Sequence, residues 1–124
     1  MKMARVETAI RLGLDFFKAY NQREVSRMAD LIGAECIFES SDPAPDGTIC
    51  KGKDAITRYW ESYFQDNPDV RIEIEDALGL GNLCVVWWKR YGDLIADENA
   101  YIRGVDIFRT KDDRISEQTS YIKG

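Results

Sequence analysis

Asp106 stands as a carboxylate in an apolar row. In the run Tyr-Ile-Arg-Gly-Val-Asp-Ile-Phe-Arg, residues 101 to 109, a pleated strand would put Ile102, Gly104, Asp106 and Phe108 on one side. Tyr101, Arg103, Val105, Ile107 and Arg109 would share the other. A carboxyl among apolar side chains must be hydrogen-bonded, paired or protonated, because an isolated buried charge is costly. Such a group either satisfies a backbone group or an Arg, or it marks a pocket where acid–base or hydrogen-bonding chemistry takes place. The chain contains no histidine, which removes Ser-His-Asp and Cys-His catalysis and any His-based metal site. Acid–base work then falls to Asp, Glu, Tyr, Lys or Cys.

Further candidates flank a short strand read at Cys36–Glu39. Glu39 ends it, Ser40 follows, and Asp42 precedes Pro43 in a Ser-, Asp- and Pro-rich loop. Asp42 is either an Asx-turn residue or a general base, and Glu39 is either a surface carboxylate or a group beside a pocket. Arg90 shares a strand face with Trp88, where it could pair with Asp106, hold an anionic ligand, or extend into solvent at the strand end. Trp60, Tyr63, Trp88 and Phe108 serve equally as pocket wall or as core. Cys36, Cys50 and Cys84 are odd in number and lack C-x-x-C spacing, so free, mostly buried thiols are expected rather than a disulfide framework or zinc ribbon. With no Gly-rich strand-to-helix turn either, neither a metal nor a nucleotide cofactor is expected.

A single domain spanning residues 1–124 is the expectation from length, since 124 residues can bury one core without staples. The composition, 44% hydrophobic and 31% charged, is globular, and the apolar runs are too short to span a bilayer. Arg5, Glu7 and Arg11 interrupt the first apolar pattern, so no secretory h-region is read and a cytoplasmic location is expected. A net charge of −5 without a basic run argues against a nucleic-acid partner.

The elements that must position these groups follow from hydrophobic period. Val6, Ile10, Leu14 and Phe17 predict a helix over about Ala4–Tyr20, and Val25, Met28, Ala29 and Ile32 a second helix from about Arg23 that Gly33 ends. The Ser40–Gly47 loop leads to an extended stretch at Thr48–Lys51, and a third helix, about Lys53–Phe64, carries the aromatic stripe Ile56, Tyr59, Trp60, Tyr63 and Phe64. From Val70 the period becomes two, giving a half-buried strand that ends near Gly79 and a turn at Gly81-Asn82. Leu83–Tyr91 is apolar on both faces, so one of Trp87 and Trp88 must point away from the pocket side and find cover elsewhere. A polar connection at Asp93–Asn99 precedes the Asp106 strand. Lys111-Asp112-Asp113-Arg114 then turns into a last strand, Ile115–Ile122. Three helices followed by long antiparallel strands make an α+β pattern, with helices covering one face of a curved sheet to form a cone with an internal pocket. The outer sheet face, including Val85, Trp87, Val105 and Ile107, is expected to be covered by a second copy in a homodimer.

The order of elements, Gly52-Lys53-Asp54-Ala55-Ile56 at the third helix, and Gly104-Val105-Asp106-Ile107-Phe108-Arg109 followed by a charged hairpin and Ile115-Ser116-Glu117 resemble the nuclear transport factor 2-like superfamily. Within it the chain is most similar to SnoaL-like and ketosteroid isomerase-like proteins. The resemblance implies a cystatin-like curved antiparallel sheet wrapped around three N-terminal helices. It also implies a pocket for a small hydrophobic molecule, with isomerase- or cyclase-type proton transfer on a carbonyl compound, or non-catalytic ligand binding or dimerisation, as the functions to weigh. Asp106 falls where ketosteroid isomerases place a protonated aspartic acid in the oxyanion hole. Phe16 takes the place of the oxyanion-hole tyrosine and has no hydroxyl. Ser40 takes the place of the catalytic base, leaving Asp42 or Glu39 to supply one. Trp60 replaces a supporting tyrosine, flanked by Tyr59 and Tyr63, and the resemblance turns Gln118 and Ser120 of the last strand inward.

Overall fold

The computed structural model describes residues 5–43, 45–92 and 100–123 of the chain. The side chain of Val6 and the connection at 93–99 lie outside the described residues. Helix α1 (Arg5–Gln22) is followed by a short α2 (Val25–Asp30), strands β1 (Ile32–Glu39) and β2 (Ile49–Lys51), and α3 (Lys53–Asp66). Four long strands complete the chain: β3 (Arg71–Leu80), β4 (Leu83–Tyr91), β5 (Ile102–Lys111) and β6 (Arg114–Ile122). They form one six-stranded sheet in the order β2-β1-β6-β5-β4-β3, antiparallel except where β1 lies parallel to β6. This is the expected α+β arrangement, with the helices on the concave face. No helix among the described residues is long and apolar enough to cross a membrane.

Both predicted hairpins form, each for a local reason. Leu80 pairs with Leu83 across Gly81-Asn82, where Gly81 takes φ +60° at the first turn position, the conformation a two-residue hairpin needs there. Asp112 and Asp113 both take positive φ, 53° and 61°, between the paired Lys111 and Arg114, the backbone pattern of a type I′ turn.

The second helix is shorter than its apolar pattern predicts. Arg23 adopts φ 57° and breaks α1 from α2, and α2 stops at Asp30. Gly33 is not a helix terminator but a strand residue, because Ile32 is already paired with Ile115 of β6 and fully buried. Sheet pairing at Ile32 outweighs the helical spacing that Ile32 completes with Met28 and Ala29.

The break after α1 also ties it to the sheet. Asn21 donates its Nδ2 to the Ile72 carbonyl at 2.8 Å and accepts the Ile72 N–H on Oδ1 at 2.7 Å, so its amide stands in for a neighbouring strand. The Arg23 guanidinium donates to the Val70 carbonyl beside it. The end of α1 is thereby clamped to edge strand β3, which fixes where Tyr20 and Ile72 meet. Between helices and sheet, Phe16, Phe17, Tyr20, Phe38, Trp60, Phe64, Trp88 and Phe108 are all buried. Apart from Trp88, their rings meet mostly edge to face at centroid separations of 5.2 to 6.0 Å, for example Phe16 with Phe108 at 5.6 Å and Tyr20 with Phe64 at 5.2 Å.

Candidate functional site

Strand parity turns Asp106 inward as the residue pattern requires, and it is only 4% exposed. Its neighbours across the ladder are Val86 on β4 and Ser120 on β6, while Trp88 and Gln118 reach it diagonally from the two flanking strands. Trp88 donates Nε1–H to Oδ1 at 3.0 Å and Gln118 donates Nε2–H to Oδ2 at 2.7 Å. The Ser120 hydroxyl is hydrogen-bonded to the same carboxyl.

Gly104 makes this arrangement possible. It pairs directly with Trp88, and a Cβ there would lie 2.5 Å from the indole ring and 2.4 Å from the Tyr121 carbonyl oxygen. The bare backbone lets the indole lie across β5 and reach Asp106 two residues on.

Burial pushes the Asp106 carboxyl up from its ordinary value. The hydrogen bonds from Gln118, Ser120 and Trp88 and the charge of Arg90 pull the other way without reversing the shift. A protonated Asp106 keeps two accepted hydrogen bonds and gains an O–H to donate. Arg90 is itself buried, with its guanidinium 5.4 Å from the Trp88 ring centre.

A small cavity opens beside the carboxyl. It measures about 20 Å³ and is lined at its floor by Asp106, Ser120, Trp88 and Arg90, on the helix side by Tyr20, Trp60 and Tyr63, and at its mouth by Ser40, Ser41, Asp42 and Tyr59. That volume holds about one water molecule. At the mouth, Ser40 donates its hydroxyl to the Asp42 carbonyl at 2.9 Å, and Thr48 donates to the same carbonyl at 2.8 Å. The Asp42 peptide is thus held while its carboxylate is exposed to solvent. Tyr59 is held up from the usual phenol value by burial first, with the Asp42 charge adding to it and a hydrogen bond with Ser40 opposing it. It therefore stays a neutral hydroxyl at neutral pH.

Of the residues singled out from sequence, Asp106, Asp42, Ser40, Tyr59, Trp60, Tyr63, Trp88, Arg90 and Ser120 all line this cavity. Gln118 does not touch the void but holds Asp106 from behind. Phe16 and Phe108 lie in the core against each other and against Phe17, not on the cavity wall. Glu39 sits on the opposite face of β1 from buried Phe38 and Ser40, away from the cavity. Phe17, Tyr20, Phe38, Ser41 and Ile72 complete the lining and were not anticipated. Tyr20 is the most consequential of these. It lies one helical turn beyond Phe16 on the same face of α1, and its hydroxyl meets that of Tyr63 at 2.6 Å. A hydroxyl absent at Phe16 is therefore present on the same helix.

No three His, Cys, Asp or Glu side chains come together as a metal-holding group among the described residues. The thiols are also unsuited to nucleophilic work, since burial, helped by the Glu117 charge, pushes Cys36 to about 12, and burial pushes Cys84 to about 11.

A model of the SnoaL-like domain matches residues 14–118. Among solved structures, an NTF2-like protein of unknown function from Mesorhizobium loti is 29% identical, with all of this chain aligned to 98% of that one at a TM-score of 0.83. A protein assigned as a ketosteroid isomerase from Kribbella flavida is 17% identical and superposes with a TM-score of 0.83 over 99% of this chain and 83% of its own. One assigned as a polyketide cyclase from Sinorhizobium meliloti, also 17% identical, gives 0.75 over 90% of this chain and 94% of its own. A search of curated proteins found no match.

Proposed function

The chain belongs to the SnoaL-like domain family, and from that premise we propose that it binds a small carbonyl compound beside Asp106 and moves a proton on it. The observation that carries this reading is a buried carboxyl, held on both oxygens, facing a cavity whose other carboxyl is solvent-exposed Asp42. The two environments suit opposite duties. Protonated Asp106 donates a hydrogen bond to the carbonyl oxygen, and Asp42 accepts the proton from the adjacent carbon. As that C–H bond breaks, its electron pair moves toward oxygen, and Asp106 stabilises the resulting enolate. Return of the proton to the same or a conjugated carbon completes an isomerisation. The structural neighbours assigned as a ketosteroid isomerase and a polyketide cyclase fit a substrate of carbonyl type. Because the cavity has room for about one water, a larger guest enters only as the Ser40–Asp42 segment and Tyr59 give way.

Exchange of the α-protons of 2-butanone in D2O, followed by NMR, tests the chemistry. The chain is expected to speed exchange, Asp42→Asn to cut the rate about 100-fold, and Asp106→Asn to cut it while leaving binding partly intact. Binding without exchange would instead establish the second reading, a non-catalytic pocket protein.

The proposal extends to a homodimer through the outer sheet face. Trp87, Leu78, Ile37 and Tyr121 are exposed there, and Val85, Val105 and Ile107 lie between them half-buried. Apolar side chains grouped on one sheet face in this way are rarely left to water.

A further inference from the structure

Trp60 carries a donor that the described structure leaves unanswered. Its Nε1 is completely buried and has no hydrogen-bond partner among the described residues. An indole N–H can only donate, and native interiors seldom leave such a group unsatisfied. The ring cannot swing to find a partner, because six aromatic neighbours hold it. Phe38 lies at 5.2 Å, Tyr59 at 5.0 Å, Tyr63 at 5.1 Å, Tyr20 at 5.6 Å, Phe16 at 5.8 Å and Phe64 at 5.9 Å.

Two voids border Trp60. One is walled by apolar side chains of α1, α2, β1 and α3 and by Thr57, whose hydroxyl donates to the Lys53 carbonyl at 2.8 Å, and it has no room for a water. The other is the Asp106 cavity, which holds about one water and is rimmed by hydroxyls, Arg90 and two carboxyls. Only the second has room for an occupant that could accept from the indole.

We infer that the Trp60 indole N–H is a second donor into the Asp106 cavity, hydrogen-bonded to the oxygen of whatever occupies it: water in the empty protein, the acceptor oxygen of a bound compound otherwise. The ligand class follows. A guest met by the Trp60 N–H, which can only donate, must present an acceptor oxygen at that point, as a ketone or aldehyde does and a hydrocarbon or an ammonium group does not. The role of the bound compound rests on the proton-transfer reading above, whereas the donor and its water do not.

The three indole N–H signals of the ¹⁵N-labelled chain test this directly. Trp87→Phe removes one, Trp88→Phe removes a second, and the remaining one is Trp60, so assignment does not depend on whether Trp60→Phe folds. The Trp60 signal is expected to show a cross-peak to water in the free protein, and to lose it and move downfield with 2-butanone but not with n-butane. Trp60→Phe, if folded, is expected to bind 2-butanone about ten-fold more weakly. An upfield Trp60 signal with no water cross-peak and no response to 2-butanone places the N–H over a neighbouring ring and overturns the inference. The two readings fail separately. Unchanged proton exchange in Asp106→Asn defeats the catalytic role whatever Trp60 does, and a silent Trp60 signal beside undiminished exchange defeats only the donor.

Discussion

Trp87 and Trp88 are adjacent in the chain, identical in type and opposite in use. Trp88 is 1% exposed, lies across Gly104 and spends its N–H on Asp106. Trp87 is 38% exposed on the other side of the same strand, opposite Val105 and Asp76. Around Trp88 the polar side chains of Gln118 and Ser120 converge with it on Asp106. Around Trp87 polar groups are surface charges, such as Arg103 with its Nε 3.2 Å from Glu75 and Lys89 3.9 Å from the same carboxylate, and exposed pairs of this kind contribute little. One face of β4 and β5 is built around a single buried carboxyl, and the other is a broad apolar surface with a charged margin.

The contrast is most easily broken at Gly104. Gly104→Ala places a methyl against the Trp88 ring and the Tyr121 carbonyl, so a loss of about 3 kcal/mol is expected, the upper part of the usual overpacking range. Thermal denaturation should show a melting temperature lower by about 10 °C. Val105→Ala, one residue along on the outer face, should shift it far less.

A titration sharpens the inner side of the comparison. The folded Asp106 carboxyl has its pKa raised above 3.8, so the folded state holds the proton longer than the unfolded chain. The stability linked to that proton is fully present below 3.8 and is lost as pH rises through the folded value. Urea unfolding across that window should show the wild type losing stability relative to Asp106→Asn as pH increases. A difference that stayed flat, or grew in the opposite direction, would place a stabilised carboxylate there instead.

The smallest effect on the fold is expected on the outer side. Trp87→Arg should change unfolding free energy by no more than about 0.5 kcal/mol per chain, as surface substitutions usually do. Its effect should appear in association: sedimentation at micromolar concentration should give a dimer for the wild type and a monomer for the variant. A wild-type monomer would remove the dimer proposal.

Much of this was legible in the residues, and the misses have physical causes. Alternation placed Asp106 inward, because a one-residue slip would have buried Arg103 and Arg109 instead, and the family resemblance turned Gln118 and Ser120 toward it. The same rule could not separate Trp87 from Trp88, since Leu83–Tyr91 is apolar on both faces and only Gly104 opposite decides which indole has room. Parity within β1 places Glu39 outward once Phe38 is known to be buried, yet the short strand read from sequence left that face open. Tyr20 went unremarked because a helical stripe does not say which of its turns reaches a cavity, and the Asn21 clamp that sets this is a tertiary contact. Ile32 and Gly33 looked like the end of a helix because pairing with β6 leaves no mark in local spacing.

That parallel pairing of β1 with β6 has a consequence for how the molecule is made. On a ribosome, α1, β1 and α3 emerge early, but the inner edge of β1 finds its partner only when the last strand has been synthesised. β6 also brings Gln118 and Ser120 to Asp106, so the carboxyl acquires two of its partners only after β6 has been made. Contacts between such distant parts of a chain make closure slow compared with local hairpins. The site is therefore completed after its own strand is made, and a nascent chain halted before residue 114 would carry Asp106 without the strand that completes its surroundings.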